Sequence, residues 1–297
     1  CCMREEIELE AVLRLEGVTK HYPGFTLQDV SFRLERGFVM GLIGPNGAGK
    51  STTIKLIMNL IKRDGGIIEL FGLDNVKHEL AVKERVGFVY DTIPYYGMLT
   101  IAEMKSLIAP FYRRWDENLF RRYLKEFDLN PHQVIDNMSR GMKTKFQLAV
   151  ALSHDAELII MDEPTSGLDP VFRSELLDIL YDVITDAGKS VLFSTHITTD
   201  LEKIADYITF INQGQVVFSL PKDDVLERYV LVKGGPEVLN DPRVKGHLIG
   251  VRRGQMGFSA LTTEADALER QLGDAVTLER ASLDDIMVFL VRGERNV

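Results

Sequence analysis

Only two cysteines occur in the 297 residues, and both stand at the very start, Cys1 and Cys2, ahead of Met3. No thiol is therefore available further along to staple the fold or build a thiolate metal site, and the core has to hold by packing alone. Their position reads as an upstream start or a cloning remnant, within an N-terminal extension of residues 1–12. Long apolar runs are missing as well. No stretch of about 18 residues is free of charge, the length a membrane-crossing helix requires. The acidic opening, with Glu5, Glu6, Glu8 and Glu10, is unlike a signal peptide. The expectation is a cytosolic chain whose membrane role comes through a partner. Positive charge is in deficit too, with 35 Lys and Arg against 44 Asp and Glu. Binding nucleic acid through its phosphates would need a local basic patch that the sequence does not display, so no nucleic-acid partner is expected. Internal repeats and low-complexity tracts are also lacking.

What is present is enough apolar residue, 45%, for one large domain and something smaller. Two β-like runs, "LRLEGVTKHY" and "FTLQDVSFRL", flank Pro23-Gly24 and read as an antiparallel pair. "FVMGLIG" then predicts a buried strand feeding the buried helix of "STTIKLIMNLI". "ELIIMD" and "SVLFST" are further buried strands with helical patterning between them, as a parallel sheet with helical crossovers requires. Between about Thr100 and Ala151 amphipathic, charge-rich helix interrupts that alternation and reads as an insert. After Phe218, Pro221, Gly234-Gly235-Pro236 and Asp241-Pro242 punctuate short strand-like pieces, while "TEADALERQL" and "SLDDIMVFLV" look helical. The expected division is 13–220 for a main domain and 221–297 for an appended one.

The sharpest chemical signal is Gly44-Pro45-Asn46-Gly47-Ala48-Gly49-Lys50-Ser51-Thr52, a P-loop pattern between a predicted strand and a predicted helix. Its glycines let backbone N–H groups turn inward around a phosphate, and the helix dipole adds to the attraction. Lys50 can reach the β- and γ-phosphates, and Ser51 offers a hydroxyl to Mg²⁺. "LIIMDE" brings Asp162 to the end of a buried strand to hold the Mg²⁺ shell, with Glu163 placed to polarise an attacking water. An acidic pair after a strand is by itself more often a helix cap; the P-loop tips the balance. His196 closes "VLFSTH" at the same sheet edge, where an imidazole can meet the γ-phosphate. Tyr22 can stack on a purine or simply pack at a turn.

The ordered set formed by the P-loop, the helical insert, "SRGMK", "LIIMDE", "PTSGLD" and "STH" resembles the nucleotide-binding domain of ABC (ATP-binding cassette) ATPases over Leu13 to Phe218. The resemblance implies a P-loop NTPase (RecA-like) α/β core. It also implies an antiparallel β subdomain, an inserted α-helical subdomain and a small C-terminal α+β accessory domain. Tyr22 falls at the adenine-stacking aromatic, Asp162 and Glu163 at Walker B and the catalytic glutamate, Ser166 to Asp169 at the D-loop, and His196 at the switch histidine. Ser139 and Gly141 fall in the signature motif, which in this family touches the ATP held by the partner subunit. ATP and Mg²⁺ are thus implied, with head-to-tail pairing to a second ATP-binding subunit, either another copy or a paralogue. So is a location on the cytoplasmic face of a membrane. "FVYD", "SRGMK" and "ASLDDIMVFLVRGE" together look like a bacterial subgroup that works with ABC-2-type transmembrane permease subunits, among them exporters of peptides and some antibiotic-response systems.

Two positions depart from the family pattern. Asp91 stands where glutamine is usual; it can take a hard cation through oxygen, or cap a turn before Pro94. In the signature, Met138-Ser139-Arg140-Gly141-Met142 replaces LSGGQ. Ser139 can both cap a helix and donate to a phosphate, and Arg140 can either contact the trans nucleotide or point to solvent.

Overall fold

The computed structural model describes residues 10–91, 94–241, 243–244, 246–255 and 257–293; Cys1, Cys2 and most of the N-terminal extension lie outside them. Strands β1 (Ala11–Tyr22) and β2 (Phe25–Glu35) form the expected antiparallel pair. The chain reverses at Pro23-Gly24, where Gly24 takes φ 81°, a left-handed value that its missing Cβ permits. β3 (Val39–Ile43) follows, then α1 (Lys50–Ile57), β4 (Gly65–Leu70), β5 (Leu73–Asp74), α2 (Glu79–Glu84) and β6 (Val86–Val89). The order β2-β1-β4-β5 makes a small sheet.

The insert contains α3 (Ile101–Ile108), α4 (Glu117–Glu126) and the start of α5 (Arg140–Ser153). Each helix begins at a side-chain cap. Thr100 and Glu103 form a reciprocal capping box, the Asp116 carboxylate accepts two N–H bonds, and Ser139 Oγ accepts from the Met142 N–H. Sequence patterning ends the insert near Ala151, but α5 runs on to Ser153, and its residues from Phe146 to Ser153 are all buried. The helix therefore starts in the insert and ends in the core, against β6. A Cβ at Gly87 of β6 would lie 2.6 Å from the Ala151 Cβ, so only glycine lets α5 seat there.

The main sheet gathers β7 (Leu158–Asp162), α6 (Pro170–Ala187), β8 (Ser190–Thr195), α7 (Thr198–Ile204), β9 (Tyr207–Asn212) and β10 (Gln215–Pro221) around β3. Its order is β10-β9-β3-β8-β7-β6, parallel except for β10. Both faces are covered, so alternation along a strand splits residues between two cores rather than between core and water. On β3, Val39 and Ile43 join the core under α5, α6 and α7, while Met40 and Leu42 join the core shared with the small sheet. Each fully buried aliphatic side chain contributes about 1.5–3 kcal/mol. All these parallel strands point their carboxyl ends at one edge, which is where the P-loop, Asp162 and His196 lie.

The C-terminal part comprises α8 (Lys222–Arg228), β11 (Val230–Gly234), β12 (Ile249–Arg253), β13 (Phe258–Thr262), α9 (Ala265–Leu272), β14 (Val276–Arg280) and α10 (Leu283–Gly293). Its strands make an antiparallel sheet in the order β12-β13-β11-β14. Val232, Val238, Phe258, Ala260 and Leu268 form a core of their own. Leu283, Ile286 and Phe289 of α10 instead belong to the core that holds Leu201 and Ile208, so this part is fastened to the main sheet through apolar contact.

One buried group sets an acid limit on the fold. His154, at the end of α5, is 1% exposed and stacks on Tyr112 with ring centroids 3.8 Å apart. Burial, which disfavours the imidazolium, pulls its pKa from 6.5 down to about 4. Because the unfolded chain takes up this proton first, the neutral ring's full contribution is present above pH 6.5 and is lost as the pH falls toward 4, about 3 kcal/mol at most. Denaturation midpoints should accordingly drop less between pH 7 and pH 5 in His154→Phe, which keeps the stack, than in the parent chain.

Candidate functional site

The P-loop leaves β3 at Gly44, where an added Cβ would come within 2.2 Å of the Ile211 carbonyl oxygen. No larger residue fits between the loop and β9. At the far end Gly49, with φ 117°, precedes α1 and gives it no side-chain cap. The first N–H groups of α1 are thereby left for a ligand, and with the helix dipole they form an anion-binding cradle. The cradle opens into a cavity of about 560 Å³ lined by every residue from Asn46 to Thr52 and by Phe25, Asp91, Glu163, Ser166 and His196.

Lys50 is 5% exposed. Its Nζ donates to the carbonyl oxygens of Gly44 and Pro45 at 2.8 and 3.4 Å, and lies 3.3 Å from Glu163 Oε1. The other carboxylate oxygen of Glu163 is 2.8 Å from His196 Nδ1. A carboxylate only accepts, so this contact puts the imidazole proton on Nδ1. Glu163 itself holds φ 49°, a left-handed value that costs a non-glycine residue about 1 kcal/mol or more. The strain is held in place by its N–H, which donates to both the carbonyl and the hydroxyl oxygen of Ser194 at 3.1 Å.

Asp162 lies just behind. Ser51 Oγ donates to its Oδ1 at 3.1 Å and Ser194 Oγ to the same oxygen at 2.7 Å. Burial pushes the Asp162 carboxyl above the usual carboxylate range, and the negative charges of Glu163 and Asp91 push the same way. A hydroxyl beside crowded, partly desolvated carboxylates fits a hard divalent cation, which would relieve that repulsion.

The other expected residues fall into two groups. Asp91 does line the cavity, but its Oδ1 accepts from Arg140 Nη2, so the half-exposed Arg140 side chain is paired within its own subunit. Tyr22 stands at the hairpin end, 40% exposed and outside the cavity lining, whereas its cross-strand neighbour Phe25 lines it. Ser139 and Gly141 are at the start of α5, also outside the lining; a Cβ at Gly141 would press on the Phe172 ring at 2.9 Å. Asp169 caps α6, accepting from the Val171 and Phe172 N–H groups at 3.1 and 3.0 Å. Two contributors escaped the sequence reading: Phe25 and Ser194. The signal for Ser194 is weak: it is one of two hydroxyl residues, with Thr195, that end the apolar strand run "VLFST".

A family model described as "ABC transporter" matches residues 27–166. The linearmycin resistance ATP-binding protein LnrL of Bacillus subtilis is 32% identical over 223 residues, covering 73% of this chain and 71% of that one. The chain belongs to the ABC transporter family as an ATP-binding subunit. The bacitracin transport ATP-binding protein BcrA of Bacillus licheniformis is 29% identical over 223 residues, 74% of this chain and 73% of that protein. Among solved structures, one described as the ATP-binding subunit of an ABC transporter superposes with a TM-score of 0.66 at 31% identity, covering 72% of this chain and 91% of that one. The P-loop NTPase fold expected from the sequence is thus the fold of this ABC ATPase. Among the described residues no helix is long and apolar enough to cross a membrane.

Proposed function

We propose that this subunit hydrolyses Mg²⁺·ATP to drive export through a separate ABC-2-type transmembrane permease at the cytoplasmic face of a membrane. Cargo would be peptides or antimicrobial compounds, in keeping with relatives named for bacitracin transport and linearmycin resistance. The observation that carries the reading is the convergence of Lys50, Glu163 and His196 on one cavity. Lys50 pairs with Glu163 Oε1; a γ-phosphate in the cradle would draw Lys50 onto itself and free that oxygen for the attacking water. His196, held through Nδ1, presents Nε2 to the transferring phosphoryl group. Ser51 and Asp162 would hold Mg²⁺, which draws charge off the β- and γ-phosphates when bound.

Ser139 and Gly141 do not line the cavity of their own subunit; following the signature motif of the family they resemble, we assign them to the cavity of a second ATP-binding subunit, a copy or a paralogue, packed head to tail. ATP would then close the pair and hydrolysis release it. Residues 221–297 we take as an accessory unit, fastened through α10.

The permease would dock where the insert meets the core. Tyr96, Met98 and Phe111 are 67%, 82% and 84% exposed there, beside a cavity of about 260 Å³ lined by Tyr90, Tyr95, Ile108 and Tyr112. Exposed aromatic and Met side chains at such a rim mark a protein interface rather than a solvated face. Phe111→Ser should leave ATP turnover of the isolated subunit unchanged. It should also remove its co-purification with a co-expressed ABC-2-type permease subunit; undiminished co-purification would exclude this surface.

A further inference from the structure

The two departures from the family pattern touch each other. Asp91 follows β6 and Arg140 opens α5, 49 residues later, yet the guanidinium donates to the Asp91 carboxylate. The same guanidinium lies over the "PTSGLD" loop: a Cβ at Gly167 would meet Arg140 Nη1 at 2.9 Å. Gly167 has φ 69°, so the loop is shaped by a residue that both accepts the left-handed turn and leaves room for the arginine. Asp91 and, one position before Gly167, Ser166 line the nucleotide cavity. Arg140 is thus where the segment carrying Ser139 meets two loops that wall the cavity of its own subunit. The usual glutamine and glycine of the family pattern would make no ion pair at these two places.

We propose that Arg140 is a positioning residue of the ATPase: paired with Asp91 and seated on Gly167, it ties the trans-acting start of α5 to the cavity wall of its own subunit. Occupation of one subunit's cavity then moves the Ser139 segment that completes the other, coupling the two sites. This inference rests on the ATPase reading above; a parent chain without turnover would overturn that reading and is distinguishable from failure of the pair.

Both side chains are half-exposed, at 42% and 49%, so the tie is modest and open to salt. The test is a double-mutant cycle in the full chain with Asp91→Asn, Arg140→Gln and the combined variant. Steady-state ATP turnover and binding of a fluorescent ATP analogue would be measured in low salt and at about 1 M salt, where screening reaches about 3 Å. Each single change should lower kcat about two- to five-fold, the range a half-exposed ion pair supports. KM and analogue binding should hold steady, because the subunit's own P-loop is untouched. The double variant should be no worse than either single one, Arg140→Lys should recover part of the loss, and high salt should shrink the difference between parent and variants. Multiplying losses in the double variant would overturn the pairing. So would a loss confined to Asp91→Asn with raised KM, which would make Asp91 a cation ligand acting alone.

Discussion

Glu163→Gln is expected to leave ATP bound and intact. The amide keeps the size of the carboxylate; its one oxygen can accept from Lys50 Nζ, 3.3 Å from Glu163 Oε1, while its NH2 can donate to His196 Nδ1, 2.8 Å from Glu163 Oε2, once the ring proton moves to Nε2. What it loses is the negative charge that polarises water, and positioned general bases are worth about a hundred-fold or more. Phosphate release should fall by at least about that factor, while ATP affinity stays near that of the parent. In the proposed cycle, where binding closes the pair and hydrolysis opens it, the variant should also accumulate as an ATP-bound dimer on gel filtration. Unchanged phosphate release would mean that the catalytic carboxylate is elsewhere.

Lys50→Ala should act one step earlier, on binding. The ammonium is buried within the loop and, among the described residues, is bonded to two carbonyl oxygens and Glu163, so it is pre-placed for a phosphate at little cost in order. Charge-assisted bonds of this kind contribute about 1.5–3 kcal/mol each, and losing two of them corresponds to a drop in ATP affinity of about a hundred-fold or more. Titration with a fluorescent ATP analogue would show it. Removing Lys50 also leaves the Glu163 charge, 15% exposed, with His196 as its remaining neighbour, so the empty variant should melt at a lower temperature than the parent.

How much of this was legible beforehand depended on whether the chemistry was contiguous. The P-loop, "LIIMDE" and "STH" each end or follow a buried apolar strand, and a parallel sheet brings such ends to one edge whatever the crossovers contain. Glu163 and His196 were therefore readable as lying at one sheet edge, while their direct contact depends on β7 and β8 being paired. Phe25 was hidden because a hairpin places it across from Tyr22, and nothing local says which aromatic turns toward the cradle. The continuation of α5 into the core was hidden for a different reason: Phe146 to Ser153 is apolar enough for either setting, and only the close approach of Ala151 to Gly87 decides it. Arg140 and Asp91 were visible as two separate oddities, since an ion pair spanning 49 residues leaves no periodic trace.

Everything about the cycle turns on whether one subunit's Ser139 segment completes the other's P-loop. Ser139→Asp keeps the cap of α5, because Asp caps as well as Ser, and sets a negative charge against the phosphate in trans; Lys50→Ala empties the cradle in cis. Each variant alone should be nearly inactive. Mixed in equal amounts, they should regain turnover toward about a quarter of the parent rate, since statistical pairing in a two-fold dimer leaves that share of sites with both halves intact. A mixture no more active than the variants apart would contradict the composite site.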